Sequence, residues 1–114
     1  MINTERVVRT QAELDAAIED GVGLVSIDSH RGEWLMLRDN GESLIVVDKS
    51  SKVHLFGTCT IYAHAQARVY AHDSTTVFAF NESTVYSFDS ATVYEHDSAT
   101  VRAHDSATVI REQS

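Results

Sequence analysis

The chain has 114 residues, 43% of them hydrophobic, with a formal net charge of -8, one cysteine and no proline. That length holds one small hydrophobic core, a lone cysteine excludes an internal disulfide, and no apolar run approaches the ~20 residues of a membrane-spanning helix. The 17 acidic against nine basic side chains repel DNA, RNA and anionic lipid at long range and attract basic protein surfaces, so a protein partner is expected before a nucleic acid or a membrane.

In chain order, Val7-Val8 is a short strand candidate. Thr10-Gln11-Ala12-Glu13 has the form of a capping box, in which the first side chain accepts from the N–H of the fourth residue. Leu14, Ala17 and Ile18 then carry helical apolar spacing until Gly21, which predicts a helix over residues 11–20. Apolar runs at 23–27, 33–38 and 43–47, separated by Ser-His-Arg-Gly and Asp-Asn-Gly turns, read as first, irregular coils of a repeat. Trp34 and Met36 alternate with Leu35 and Leu37, so both faces of that strand are apolar. The expectation is that the helix covers one of them, with Leu14, Ile18 and Trp34 in contact and Trp34 in the core.

From Ile45 onward the sequence repeats every eight residues: Ile45, Val53, Ile61, Val69, Val77, Val85, Val93, Val101, Val109. The column that follows is mostly aromatic, with Tyr62, Tyr70, Phe78, Tyr86 and Tyr94. Within an octad, Ala and Val share one parity while Thr, Tyr and His share the other, which is the alternation of a strand. Asp-Ser pairs interrupt each run (Asp73-Ser74, Asp89-Ser90, Asp97-Ser98, Asp105-Ser106) and supply turn chemistry, because Asp bonds nearby backbone and tolerates unusual φ.

An antiparallel meander with two-residue turns flips the apolar side of each successive strand, so identical octads give it no continuous apolar face. A parallel β-solenoid stacks equivalent residues in register at ~4.8 Å and uses every octad alike. The expected fold is therefore all-β with one capping helix: a single-domain parallel β-solenoid of two octads, 16 residues, per coil. Residues 1–44 form its N-terminal cap and residues 45–114 its repeat. Glu95 and Arg111, 16 apart, break the Ala column and fall in one ladder under this coil length, where opposite charges pair.

The run His96-Asp-Ser-Ala-Thr-Val-Arg-Ala-His-Asp-Ser-Ala-Thr-Val109 resembles the Ala-Tyr-Asp/Gly-Ser-Ala-Thr-Val tracts of bacterial and phage β-solenoid proteins, and more distantly the octapeptides of ice-nucleation proteins. The resemblance spans about residues 60–110 and implies an architecture; the cytoplasm of a bacterial host is expected because Met1-Ile2-Asn3-Thr4-Glu5-Arg6 has no basic region followed by an apolar stretch and Cys59 is alone. In shape only, the chain is also similar to acidic pentapeptide-repeat proteins that mimic DNA and to small acidic anti-CRISPR proteins. That comparison implies a non-enzymatic phage or mobile-element inhibitor of a nucleic-acid-handling protein.

Two sets of carboxylates are candidates for such a surface. Asp73, Asp89 and Asp105, 16 apart, would share one corner of the coil with Asp97 on the opposite corner, and Glu13, Asp15, Glu19 and Asp20 stand on the helix. The cap is the more acidic part, since residues 1–44 carry nine acids and four bases and residues 45–114 carry eight and five. The aromatic column Tyr62, Tyr70, Phe78, Tyr86, Tyr94 is a candidate for partner or carbohydrate contact. Val101, Val109 and Ile110 form a candidate edge for a homodimer or a self-associating module, the alternative to an inhibitor.

His64, His72, His96 and His104 share a column, yet in a 16-residue coil Phe80 and Phe88 separate them by about 9.6 Å, too far to share a zinc at ~2.0 Å per bond. Cys59 lies in a column of small residues (Ala67, Ser83, Ala91) and reads as a buried spacer. No phosphate loop or nucleophile elbow occurs in the chain, so no enzyme, cofactor or metal is expected.

Overall fold

The computed structural model describes residues 5–28, 34–38, 44–49, 51–104 and 106–111. Among the described residues, twelve four-residue strands and one helix build a β-solenoid of about six turns. Strands β1 (Glu5–Val8), β2 (Leu24–Ile27), β4 (Leu44–Val47), β6 (Thr60–Ala63), β8 (Thr76–Ala79), β10 (Thr92–Glu95) and β12 (Thr108–Arg111) form a seven-stranded parallel sheet in that order. Strands β3 (Trp34–Leu37), β5 (Lys52–Leu55), β7 (Arg68–Ala71), β9 (Thr84–Ser87) and β11 (Thr100–Ala103) form a second, five-stranded one. The helix α1 (Gln11–Glu19) lies between β1 and β2 in the chain. No helix among the described residues is long and apolar enough to cross a membrane.

The register gives the coil length directly. Thr60 pairs with Thr76 and Thr76 with Thr92, Lys52 pairs with Arg68 and Arg68 with Thr84, so each repeat coil is 16 residues. The earlier coils are longer: Glu5 pairs with Leu24, Leu24 with Leu44 and Trp34 with Lys52, which are steps of 19, 20 and 18. They are the irregular coils expected from the glycine-containing turns.

From β2 onward each strand sends its second and fourth residues inward, and β1 contributes only Val8. Val, Ile and Leu from both sheets meet there, with Val25, Leu35, Ile45, Val53, Ile61, Val69, Val77, Val85 and Val93 all fully buried. The side chains that fill the interior shrink along the tube: the fourth-position column of the second sheet runs Leu37, Leu55, Ala71, Ser87 and that of the first runs Ile27, Val47, Ala63, Ala79. Cys59 is buried as expected, but the 16-residue coil stacks it with Thr75 and sends Ala67 and Ser83 to the opposite corner; its thiol lies 3.2 Å from the carbonyl of Phe56.

The corners explain the choice of Asp. Asp73, Asp89 and Asp97 adopt left-handed backbone (φ 59, 57 and 54°), as do Asn81, Ala65 and Lys49 at equivalent positions. Asp and Asn pay less for this conformation than other non-glycine residues because their short side chains bond locally. Here the side chain reaches the preceding coil: Gly57 N–H donates to Asp73 Oδ2 (2.9 Å), Asp73 N–H to Asp89 Oδ2 (3.1 Å), Ala65 N–H to Asn81 Oδ1 (3.0 Å) and Asn81 N–H to Asp97 Oδ2 (3.1 Å). Gly57 has a further requirement, since a Cβ at its φ of 75° would lie 2.8 Å from the carbonyl oxygen of Arg38.

The cap follows its sequence signals closely. Thr10 Oγ1 accepts from the N–H of Glu13 (3.2 Å), while Glu13 Oε1 reaches one residue further back than in a standard box, to the N–H of Arg9 (2.7 Å). At the other end Gly21 (φ 70°) and Val22 donate to the carbonyls of Ile18 and Ala17, a Schellman motif that stops the helix at Glu19. Leu14 and Ala17 are buried and Ile18 packs against them.

The position of Trp34 differs from the expectation. Leu35 and Leu37 face the interior, and Trp34 (36% exposed) and Met36 (42%) face outward. The helix does not cover that outer face; it sits beyond the edge of β3, in the place a further strand of the five-stranded sheet would occupy. The amide of Gln11 makes the strand-like bonds there, its Nε2 donating to the Met36 carbonyl (2.8 Å) and its Oε1 accepting from the Met36 N–H (2.7 Å). Helix Leu14 and Ala17 plug the interior, and Trp34 is left to the outer surface.

Candidate functional site

Because a coil holds two octads, the aromatic column is divided between two opposite faces. On the seven-stranded sheet Tyr62, Phe78 and Tyr94 stack at 4.9 and 4.7 Å between ring centroids, and His64, Phe80 and His96 stack beside them at 4.9 and 4.5 Å. On the five-stranded sheet His54, Tyr70 and Tyr86 form one ladder (4.9 and 4.8 Å) and Phe56, His72, Phe88 and His104 another (4.9, 5.0 and 4.9 Å). The five rings read as one band in sequence therefore form two separate surfaces. Phe80 and Phe88 stand between the histidines of each pair, as the coil length requires.

Stacking uses the ring faces. Apart from the His54–Tyr70 step (29°), the planes lie within 15° of parallel along each ladder, so each interior ring is sandwiched by its neighbours and shows solvent mainly its edge. A sugar needs the face of a ring, which limits carbohydrate stacking to the ends of the ladders. Trp34 is tilted 45° to His54 and is approached by Lys52 Nζ at 5.4 Å from its ring centre.

Sequence reasoning missed one pair. His54 lies in the Tyr70 column and is stacked 5.9 Å from His72. Burial lowers the His54 pKa below its ordinary value, and the neighbouring His72 lowers it further.

The candidate carboxylates occupy the rim. Asp73 and Asp89 stand on one corner ridge and Asp97 on the other, all exposed, each with an oxygen bound to backbone as described above. Asp105 lies outside the described residues. On the helix Glu13 serves the N-cap, Asp15 accepts from Gln11 Nε2 (2.9 Å), Asp20 pairs with Arg6 (3.1 Å) and Glu19 is exposed at the last turn. Ile18, Met36 and Arg38 line an open groove with Asp15 and Glu19 between helix and β3. Val101 and Val109 are half-buried and Ile110 is exposed at the far end of the tube.

Charge is segregated by element. Strands β2 to β12 contain a single acid, Glu95, and it faces the interior. Glu95 meets Arg111 at 3.0 Å with its side chain only 18% exposed. Comparison with protein-family models, curated proteins and solved structures gives no match, so the candidate surfaces rest on the chemistry of their own residues.

Proposed function

We propose that this chain is a non-enzymatic protein-binding rod whose acidic rim, made of the corner ridges and the cap helix, engages a basic protein surface. The observation that carries the reading is the pinning of the corner carboxylates. Asp73, Asp89 and Asp97 are exposed and each is fixed by a backbone N–H of the preceding coil, so their charges are held in place before any partner arrives. Preorganised charge of this kind speeds encounter and lowers the ordering cost of binding. A rigid acidic rod suits the basic channel of a nucleic-acid-handling protein, and inhibition of such a protein, as by a phage or mobile-element product, is the activity proposed.

The structure supplies its own conservative test variant. Asn81 holds the same left-handed corner and accepts the same bond as its Asp neighbours, so Asp73→Asn, Asp89→Asn and Asp97→Asn remove charge and retain geometry. Binding of a labelled lysine-rich peptide is measured by fluorescence anisotropy at low and high salt. The triple variant combined with Asp15→Asn and Glu19→Gln is expected to bind at least roughly tenfold more weakly, with a flatter salt dependence. Equal binding by both proteins overturns the reading. A second reading, self-association through Val101, Val109 and Ile110, is favoured by the partial exposure of two valines whose counterparts are fully buried in earlier coils.

A further inference from the structure

The outer face of the five-stranded sheet has the opposite charge to the molecule. Its outward strand positions hold Lys52, Arg68 and Arg102 and no carboxylate, and Arg38 follows β3 directly, its guanidinium 5.9 Å from the ring centre of Phe56. Three histidines, His54, His72 and His104, lie in the same ladders. The outward positions of the seven-stranded sheet from β2 to β12 hold no charged side chain at all. In a chain of net charge -8, the collection of strand cations on one of two faces defines a surface.

The uncharged groups on this face favour anions too. Stacked rings turn their edges outward, and the edge is the electropositive part of the quadrupole. Tyr70 and Tyr86 add hydroxyl-bearing rings to this face, Tyr86 in register with Arg102, and Thr84 and Thr100 continue the column of Arg68. Acidic ridges border the face: Asp73 and Asp89 stand beyond one side, and Glu82, accepting from Gln66 Nε2 at 3.3 Å, stands beyond the other, near Lys52 and Arg68. The strip between them is one strand wide, about 13 Å for four residues. A duplex about 20 Å across would press its phosphates against those ridges, and a single strand of nucleic acid would find ring faces only at the ends of the ladders and not a run on which to stack successive bases. A narrow, extended polypeptide bearing carboxylates meets neither obstacle, and carboxylates match arginine forks.

We infer that the outer face of the five-stranded sheet docks an acidic, extended segment of a partner protein, with Arg68 and Arg102 as its principal anchors. This surface is separate from the acidic rim, and the two respond to different substitutions.

The probe is a fluorescently labelled oligo-glutamate peptide, titrated at low salt by anisotropy, with an oligo-thymidylate of equal charge as competitor. The wild type is expected to bind the peptide saturably, Arg68→Gln/Arg102→Gln to bind it roughly tenfold more weakly, and Asp73→Asn/Asp89→Asn to bind at least as well as wild type. Amide chemical shifts of the labelled wild-type protein are expected to move on β5, β7 and β11 and to stay fixed on α1. Absence of binding, unchanged affinity in the arginine variant, or shifts confined to the helix or the seven-stranded sheet each overturn the proposal. Tighter binding of oligo-thymidylate overturns it in favour of nucleic acid, and peptide-free dimerisation that the arginine variant abolishes overturns it in favour of a second copy of this chain.

Discussion

The corner residue decides both the stability of a coil and the charge it displays. Asp73 combines a left-handed backbone with a carboxylate oxygen 2.9 Å from the Gly57 nitrogen. Replacing it with Ala removes the acceptor and the local bonding that offsets the conformation, a loss of about 1–3 kcal/mol. Replacing it with Asn keeps both, as Asn81 does one half-coil later. Chemical denaturation of the two variants is therefore expected to separate them, with Asp73→Ala clearly destabilised and Asp73→Asn within about 0.5 kcal/mol of wild type. Equal loss in both variants would show that the charge itself, not the bond, matters at this corner. The corner Asp residues are thus turn residues first: the fold uses their acceptor oxygen, which Asn81 supplies equally well, and the charge is what they add for a partner.

At the scale of elements, the helix works as a substitute strand. An exposed sheet edge recruits other strands, and the amide of Gln11 satisfies both the N–H and the carbonyl of Met36 at the edge of β3. Gln11→Glu keeps the acceptor and loses the donor, placing a carboxylate oxygen against a carbonyl. A loss of about 1–2 kcal/mol is expected, with faster amide exchange at Met36 and unchanged exchange in β9 and β11. Uniform exchange across the chain would refute a local clamp. The helix, its Thr10 cap and its Gly21 stop were legible because each depends on residues within one turn of chain. The 16-residue coil was legible because identical columns leave few ways to stack. Trp34 was not, because a run apolar at both parities does not tell which side faces in; only the geometry of the neighbouring coil at Lys52 and Val53 settles it. The cationic face was missed for a related reason. Lys52, Arg68 and Arg102 are scattered through two columns of an eight-residue repeat, and they gather only when alternate octads are assigned to opposite sheets.

Among the described residues the tube is covered at one end by a helix and reaches, at the other, a strand β12 that carries an inward charge. Glu95 and Arg111 sit in the inward column that Ala63 and Ala79 occupy in earlier coils, and they bond each other at 3.0 Å. Inward-pointing charge on a terminal strand opposes the addition of another strand, because a docking partner would seal the arginine from water at a cost of several kcal/mol unless every donor were satisfied. Self-association through Val101, Val109 and Ile110 must overcome that cost. Glu95→Ala/Arg111→Ala extends the Ala column to the end and removes it, so sedimentation velocity over a range of concentrations is expected to show dimers at least roughly tenfold more readily than in wild type. Val109→Glu added to that background is expected to return the protein to monomer, since it places a new charge inside the exposed end. A folded double variant that remains monomeric at high concentration would remove this edge as an association surface. The rim and the cationic sheet would then be the remaining candidate surfaces through which the rod meets other proteins.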